Sequence, residues 1–198
     1  MKFNLRSHQE QMLLAMNNNN RGIIQCPTGG GKTFTFITDS RKYLKPSNVV
    51  VVVSPRLLLT EQLFNEFDTH LQDVDFLYRE ISSEGRTLQR DRKNLKFRIT
   101  KPQPATTIVD DIVKSYQQAV KLSKPLILFV TYDSLERILS AGIPVDVTYY
   151  DEAHNATSAD NFIAVKNHSL HSSRNFYFTA TPKMSHSNDG AGMSNEEV

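Results

Sequence analysis

Nine residues near the amino terminus, Gln25-Cys26-Pro27-Thr28-Gly29-Gly30-Gly31-Lys32-Thr33, have the composition of a phosphate cradle. Glycine admits backbone angles that side chains forbid, so the run Gly29–Gly31 can turn several N–H groups toward one anion. A helix beginning at Lys32 adds its partial positive end at the same place. Lys32 supplies a mobile charge for the β- and γ-phosphates of a nucleotide, and the Thr33 hydroxyl is a ligand for Mg2+. The strict pattern places glycine six residues before the lysine, and Cys26 stands there instead. The tighter half, Gly29 to Thr33, is intact. Residue types alone leave a ligand-free glycine turn as the alternative.

A second group, Asp151-Glu152-Ala153-His154, follows the apolar stretch Val147-Thr148-Tyr149-Tyr150. That puts the two acids at the carboxyl end of a strand, the edge where open α/β sheets bind ligands. Asp151 there can hold Mg2+, usually through water, while Glu152 orients and deprotonates an attacking water. Taken alone, an acidic pair at a helix start is also an ordinary response to the helix dipole. Two independent groups in this order favour a nucleoside triphosphatase. His8, His70, His168, His171 and His186 have no ligand-like spacing, and no metal is assigned to them.

The elements that must position these groups read as strands alternating with helices. Ser7 with Glu10 has a capping pattern, and Met12, Leu13 and Met16 share a helical face until Asn17–Asn20 stops it. Residues 22–26 read as a buried strand. Residues 32–44 read as a helix with Phe34, Ile37 and Leu44 inward. Val49 to Val53 is an unbroken β-branched run, the mark of a strand covered on both faces. Leu59, Leu63, Phe67 and Leu71 recur every four residues, as in a helix. Further on come a helix over 107–120, a strand over 126–130, a helix over 133–141, and strands over 145–150 and 176–178. This alternation predicts an open, mainly parallel sheet with helices on both faces. Residues 79–101 carry eight basic residues, and Lys96–Ile99 alternates like an exposed strand. A solvated insertion is preferred there over a basic flap on nucleic acid.

The 198 residues suit one domain, and a net charge of +2 confines any nucleic-acid contact to a local surface. The single cysteine excludes an internal disulfide and fits a reducing compartment. Without an apolar leader or a membrane-length run, the expectation is a cytoplasmic protein of a bacterium or a virus-infected host cell, with no membrane partner.

Together these groups resemble the first RecA-like lobe of superfamily 2 helicases and translocases, along nearly the whole chain. Leu5-Arg6-Ser7-His8-Gln9 looks like the adenine-contacting element of that family, which implies that Gln9 reads the adenine edge with Arg6 nearby. Pro27, Thr28, Gly29, Gly30, Gly31, Lys32 and Thr33 match motif I, where the family commonly has Ala or Gly at the position of Cys26. Ser54-Pro55-Arg56, with Leu59 and Gln62, resembles motif Ia. Thr131-Tyr132-Asp133-Ser134-Leu135 resembles motif Ib. The likeness implies that Ser54, Pro55, Arg56, Thr131 and Tyr132 hold the nucleic-acid backbone. Asp151–His154 is a DEAH form of motif II. Thr179-Ala180-Thr181-Pro182 resembles motif III, with His154 bridging Glu152 to the loop of Thr179 and Thr181. Ile81-Ser82-Ser83, Thr106-Thr107 and the closing 193–198 add a likeness to restriction-enzyme motor subunits.

The resemblance implies a RecA-like P-loop domain over 1–184, with 185–198 as a linker toward a second lobe that carries arginine fingers. It implies ATP and Mg2+ as cofactors and nucleic acid as partner, DNA ahead of RNA. An arginine finger supplies about 10³ to 10⁵ in rate. The lobe alone is therefore expected to bind ATP weakly, to hydrolyse it slowly and to unwind nothing. The rival readings are the motor part of a restriction-type nuclease complex and a non-hydrolysing module that binds ATP or nucleic acid. A P-loop kinase has no use for the residues of motifs II and III.

Overall fold

The structure, a computed structural model, describes residues 5–84, 87–90 and 103–182, except the side chains of Ala159 and Asp160. Among the described residues there are six strands: β1 (Arg21–Gln25), β2 (Val49–Ser54), β3 (Leu77–Ile81), β4 (Leu126–Thr131), β5 (Val147–Tyr150) and β6 (Asn175–Thr179). The helices are α1 (Ser7–Asn18), α2 (Lys32–Ser40), α3 (Leu57–His70), α4 (Val109–Leu122), α5 (Glu136–Ala141) and α6 (Ala159–His171). The strands form one sheet in the order β1-β6-β5-β2-β4-β3, and every neighbouring pair is parallel.

The valine run explains why the fold has three layers, with helices on both faces of the sheet. Val49, Val51 and Val53 pack into one core with Ile112 and Ala119 of α4, Ile138 of α5 and Val165 of α6. Val50 and Val52 point the other way, onto Met16 of α1, Phe36 and Ile37 of α2, and Leu63, Phe64 and Phe67 of α3. Each buried valine contributes about 1.5–3 kcal/mol of transfer free energy. A polar residue at any of these positions would put a polar side chain into one of the two cores. No helix among the described residues is long and apolar enough to cross a membrane.

Several local expectations are corrected. The first helix is capped one residue earlier than its sequence pattern predicts: Gln9, not Glu10, reaches back, and its Oε1 accepts the Arg6 N–H at 2.9 Å. Helix α2 ends at Ser40, and Phe36 rather than Phe34 fills the core. Strand β3 and helix α6 were not expected. In β3 two charges stand side by side, yet Arg79 and Glu80 are both buried. Arg79 is held by Gln103, by Ser115 at 3.2 Å and by Asp111 at 3.4 Å. Burial raises the Glu80 carboxyl above its ordinary range, against the Ser82 hydroxyl that donates to it at 2.9 Å.

Arg90 also contradicts a solvated insertion. Its guanidinium meets Asp68 at 2.6 Å, donates to the carbonyls of Leu71 and Val74 at 3.0 Å, and lies over the Phe76 ring. It ties off the carboxyl end of α3; removing one member of such a buried pair costs about 3–5 kcal/mol. Residues 91–101, including the alternating Lys96–Ile99, lie outside the described residues, as do the 183–198 tail and His186. Helix α6 escapes a periodicity reading because Ile163 and Leu170 are exposed while His168 and Ser169 are buried.

His168 gives the fold a pH dependence. Its Nε2 meets the Thr148 hydroxyl at 3.0 Å, and burial, with His171 nearby, pushes its pKa from 6.5 down to about 3. The unfolded chain therefore binds one more proton than the native chain between those values, so stability falls as pH drops through that window. The limiting slope is about 1.4 kcal/mol per pH unit. Urea denaturation of the protein and of His168→Gln is expected to show a stability difference that shifts in favour of the variant as pH falls from 7 to 4.5. Parallel pH profiles would assign the acid sensitivity to other groups.

Candidate active site

The carboxyl edge of the sheet gathers the residues singled out for chemistry. Strand β1 delivers the chain into the glycine run, where Gly29 and Gly31 take left-handed angles of 78° and 82°. Gly31 caps α2, so Lys32 and Thr33 occupy its first turn. Lys32 is buried to 8% exposure, and its Nζ lies 3.2 Å from Glu152 Oε1. Those two side chains come from positions 120 residues apart. The parallel crossover brings them together, because β1 and β5 both run toward this edge with β6 between them.

Glu152 itself has a left-handed backbone, φ 46° and ψ 52°, which a non-glycine residue rarely adopts. Such strain costs about 1–3 kcal/mol and concentrates at functional sites. Here it begins the 3-10 turn Ala153–Thr157, and the Asn155 amide fixes the Glu152 carbonyl at 2.8 Å. The carboxylate also faces His154 Nδ1 at 3.5 Å. His154 Nδ1 in turn lies 3.2 Å from the Thr179 hydroxyl, which accepts the Thr181 N–H at 3.2 Å. A continuous polar path therefore runs from Lys32 through Glu152 and His154 to the loop after β6. The same loop is stitched to the glycine run by the Cys26 N–H, which donates to the Thr179 carbonyl at 3.0 Å.

Asp151 is 9% exposed, and its pKa is raised from 3.8 to about 6. Burial is the main cause; the Glu152 charge adds to it, and Lys32 offsets part of it. A buried carboxylate beside a second acid has its charged form restored by a cation. Thr28, Gly29, Gly31, Lys32, Thr33, Asp151 and Glu152 line one cleft of about 460 Å³.

Leu59, Gln62, Leu63 and Glu66 of α3 form another wall of this cleft. Sequence reasoning missed Glu66 and grouped Leu59 and Gln62 with the motif Ia residues. The signal was an acidic residue on the same helical stripe as the leucines, at spacing i, i+3, i+4, i+7. Burial raises the Glu66 carboxyl above its ordinary value.

The remaining predicted residues separate. Arg6 is exposed at the start of α1, and Gln9 is buried with its amide nitrogen 3.4 Å from the Gly31 carbonyl. Pro27 is exposed at the rim of the glycine run, and Gly30 closes a turn by donating to the Pro27 carbonyl at 3.0 Å. Arg56 is exposed and Pro55 half-buried. Ser54 and Tyr132 do not present side chains outward, which corrects that expectation. The Ser54 hydroxyl is buried at 2.6 Å from Thr60, and the Tyr132 hydroxyl donates to the Asp151 carbonyl at 3.1 Å. Tyr132 thus supports the acid rather than a ligand of its own. Thr131 is buried, and its hydroxyl donates to Ser134 at 3.1 Å.

Comparison with known proteins bears on the fold. Residues 2–184 match the family described as type III restriction enzyme, res subunit. A search of the curated proteins found no match. Among solved structures, a nuclease-deletion mutant of the type ISP restriction-modification enzyme LlaGI, in complex with a DNA substrate mimic, is 27% identical with a TM-score of 0.73. The match covers 98% of this chain and 16% of that one. The ATP-dependent type ISP enzyme LlaBIII bound to DNA is 25% identical, with a TM-score of 0.67, over 96% of this chain and 14% of that one. The Hef helicase domain of Pyrococcus furiosus shares the fold at 19% identity and a TM-score of 0.59, over 92% of this chain and 34% of that one.

Proposed function

Since the chain belongs to the type III restriction enzyme res subunit family, we propose that it is the ATP-binding lobe of a DEAH-type motor that moves on DNA. The fold is that of a helicase-like RecA lobe. The observation that carries the reading is the meeting of Lys32 and Glu152 at 3.2 Å in the cleft that Thr33 and Asp151 also line.

The residues present fit Mg2+–ATP. The left-handed glycines leave amides free of Cβ crowding, the Thr33 hydroxyl and the Asp151 carboxylate are hard oxygen donors suited to Mg2+, and Lys32 supplies the countercharge. When bound, that group supplies a phosphoryl centre for attack by water and a cation that offsets its charge. Lys32 would then hold the phosphates in place of the Glu152 carboxylate. Glu152, released from the lysine, would accept the proton of the attacking water. His154 and Thr179 relay its position to the loop of Thr181. Arg6 and Gln9 lie on the adenine side. Arg56 and the main chain around Ser54, Pro55 and Thr131 offer backbone contacts, which are blind to sequence.

Arginine from a second RecA-like lobe would complete the site. ATP hydrolysis measured on a longer protein carrying that lobe is the test. Stimulation by DNA, with a smaller response to RNA, is the expected result; hydrolysis indifferent to nucleic acid would overturn it. The coverage of the two type ISP enzymes favours a second reading, the motor of a restriction-type nuclease complex. ATP-dependent cleavage of DNA by the longer protein or its complex would select it.

A further inference from the structure

We propose that His8 is a positioning residue for the phosphate loop: its Nε2–H holds the Gly30 carbonyl and thereby aims the Gly31 N–H into the cleft. The inference rests on the nucleotide reading above and gives a role to His8, which lies within the adenine element but was assigned none there. His8 is exposed on the first turn of α1, and its Nε2 lies 2.8 Å from the Gly30 carbonyl oxygen. A carbonyl only accepts, so the bond requires the proton on Nε2.

Peptide geometry gives the contact its consequence. The described residues contain no cis peptide bond. Across a planar trans peptide, a carbonyl and the following N–H point in opposite directions. Holding the Gly30 carbonyl toward α1 therefore turns the Gly31 N–H away from α1. Gly31 is also one of the residues lining the cleft. Next along, the Gly31 carbonyl receives the Gln9 amide at 3.4 Å and the Thr35 hydroxyl at 3.1 Å. A Cβ at Gly31 would overlap the Gln9 amide nitrogen, and one at Gly30 would overlap the Cys26 sulfur. The crest of the loop is thus packed from below by Cys26 and Gln9, and tied from outside by His8. Glycine-rich backbone has many competing conformations, and each tie that selects the anion-binding one raises affinity through preorganisation.

Such a brace acts on phosphates and not on the base. Binding of ATP and of inorganic tripolyphosphate, each with Mg2+, is measured for the 198-residue chain, His8→Leu, His8→Gln and Lys32→Ala. Glutamine can donate from the position of Nε2, and leucine cannot. His8→Leu is expected to weaken both ligands by the same factor, about three- to tenfold, with His8→Gln restoring most of the loss. Unchanged tripolyphosphate affinity in His8→Leu would overturn the inference, and a loss confined to ATP would reassign His8 to the base. A Lys32→Ala loss alongside an intact His8→Leu leaves the nucleotide reading standing without the brace. Absence of binding by the unsubstituted chain sinks both. Because His8 is exposed, thermal melting should match across its variants, which separates a loop effect from unfolding.

Discussion

Lys32→Ala is expected to weaken Mg2+–ATP binding by about 10- to 150-fold, the range for removing one charge-assisted hydrogen bond. The lysine is 8% exposed and faces the cleft that Gly29, Gly31, Asp151 and Glu152 also line. Its ion pair with Glu152 is the contact from which the phosphates must draw it. That competition is expected to lower intrinsic affinity, and it makes the variant informative. The loss of Lys32 leaves Glu152 with His154 at 3.5 Å and with partial access to water, so stability should change little. Calorimetric titration of both proteins reads the difference. Equal affinities would mean that Lys32 serves only its ion pair.

Glu152→Gln is expected to do the opposite: to leave ATP affinity within about threefold, while lowering hydrolysis by about 10² to 10⁴, the usual contribution of a positioned general base. Glutamine keeps the size and can still accept from Lys32 and His154, but it cannot take a proton from water. Single-turnover hydrolysis followed over hours suits a lobe expected to work slowly without a partner arginine. Parallel loss of binding and hydrolysis would make Glu152 a structural counterion for Lys32. Hydrolysis at the original rate would move the base elsewhere, with Glu66 on the facing wall of the cleft the first alternative.

How far these residues could be read from the chain depended on how local their signal was. The glycine run and the acidic pair each follow an apolar strand, so their place on the carboxyl edge follows from parallel topology. The reading also had His154 bridge Glu152 to the loop after β6; its Nδ1 lies 3.5 Å from Glu152 and 3.2 Å from the Thr179 hydroxyl. Strand β3 was missed because Arg79 and Glu80 look like surface. Their burial depends on Ser82, Gln103, Asp111 and Ser115, partners that no local pattern brings together. Tyr132 was misjudged for a similar reason. A loop position at the ligand edge suggests exposure, but its ring is inserted beneath Asp151. Glu66 lay hidden on a helix whose leucine spacing spoke only of the core.

The most direct measurement is a crystal structure of this chain with Mg2+ and a non-hydrolysable ATP analogue. Lys32 should have left Glu152 for the β- and γ-phosphates, and one Mg2+ should be shared by the Thr33 hydroxyl and Asp151, directly or through water. A triphosphate bound away from the glycine run, with Lys32 still on Glu152, would contradict it.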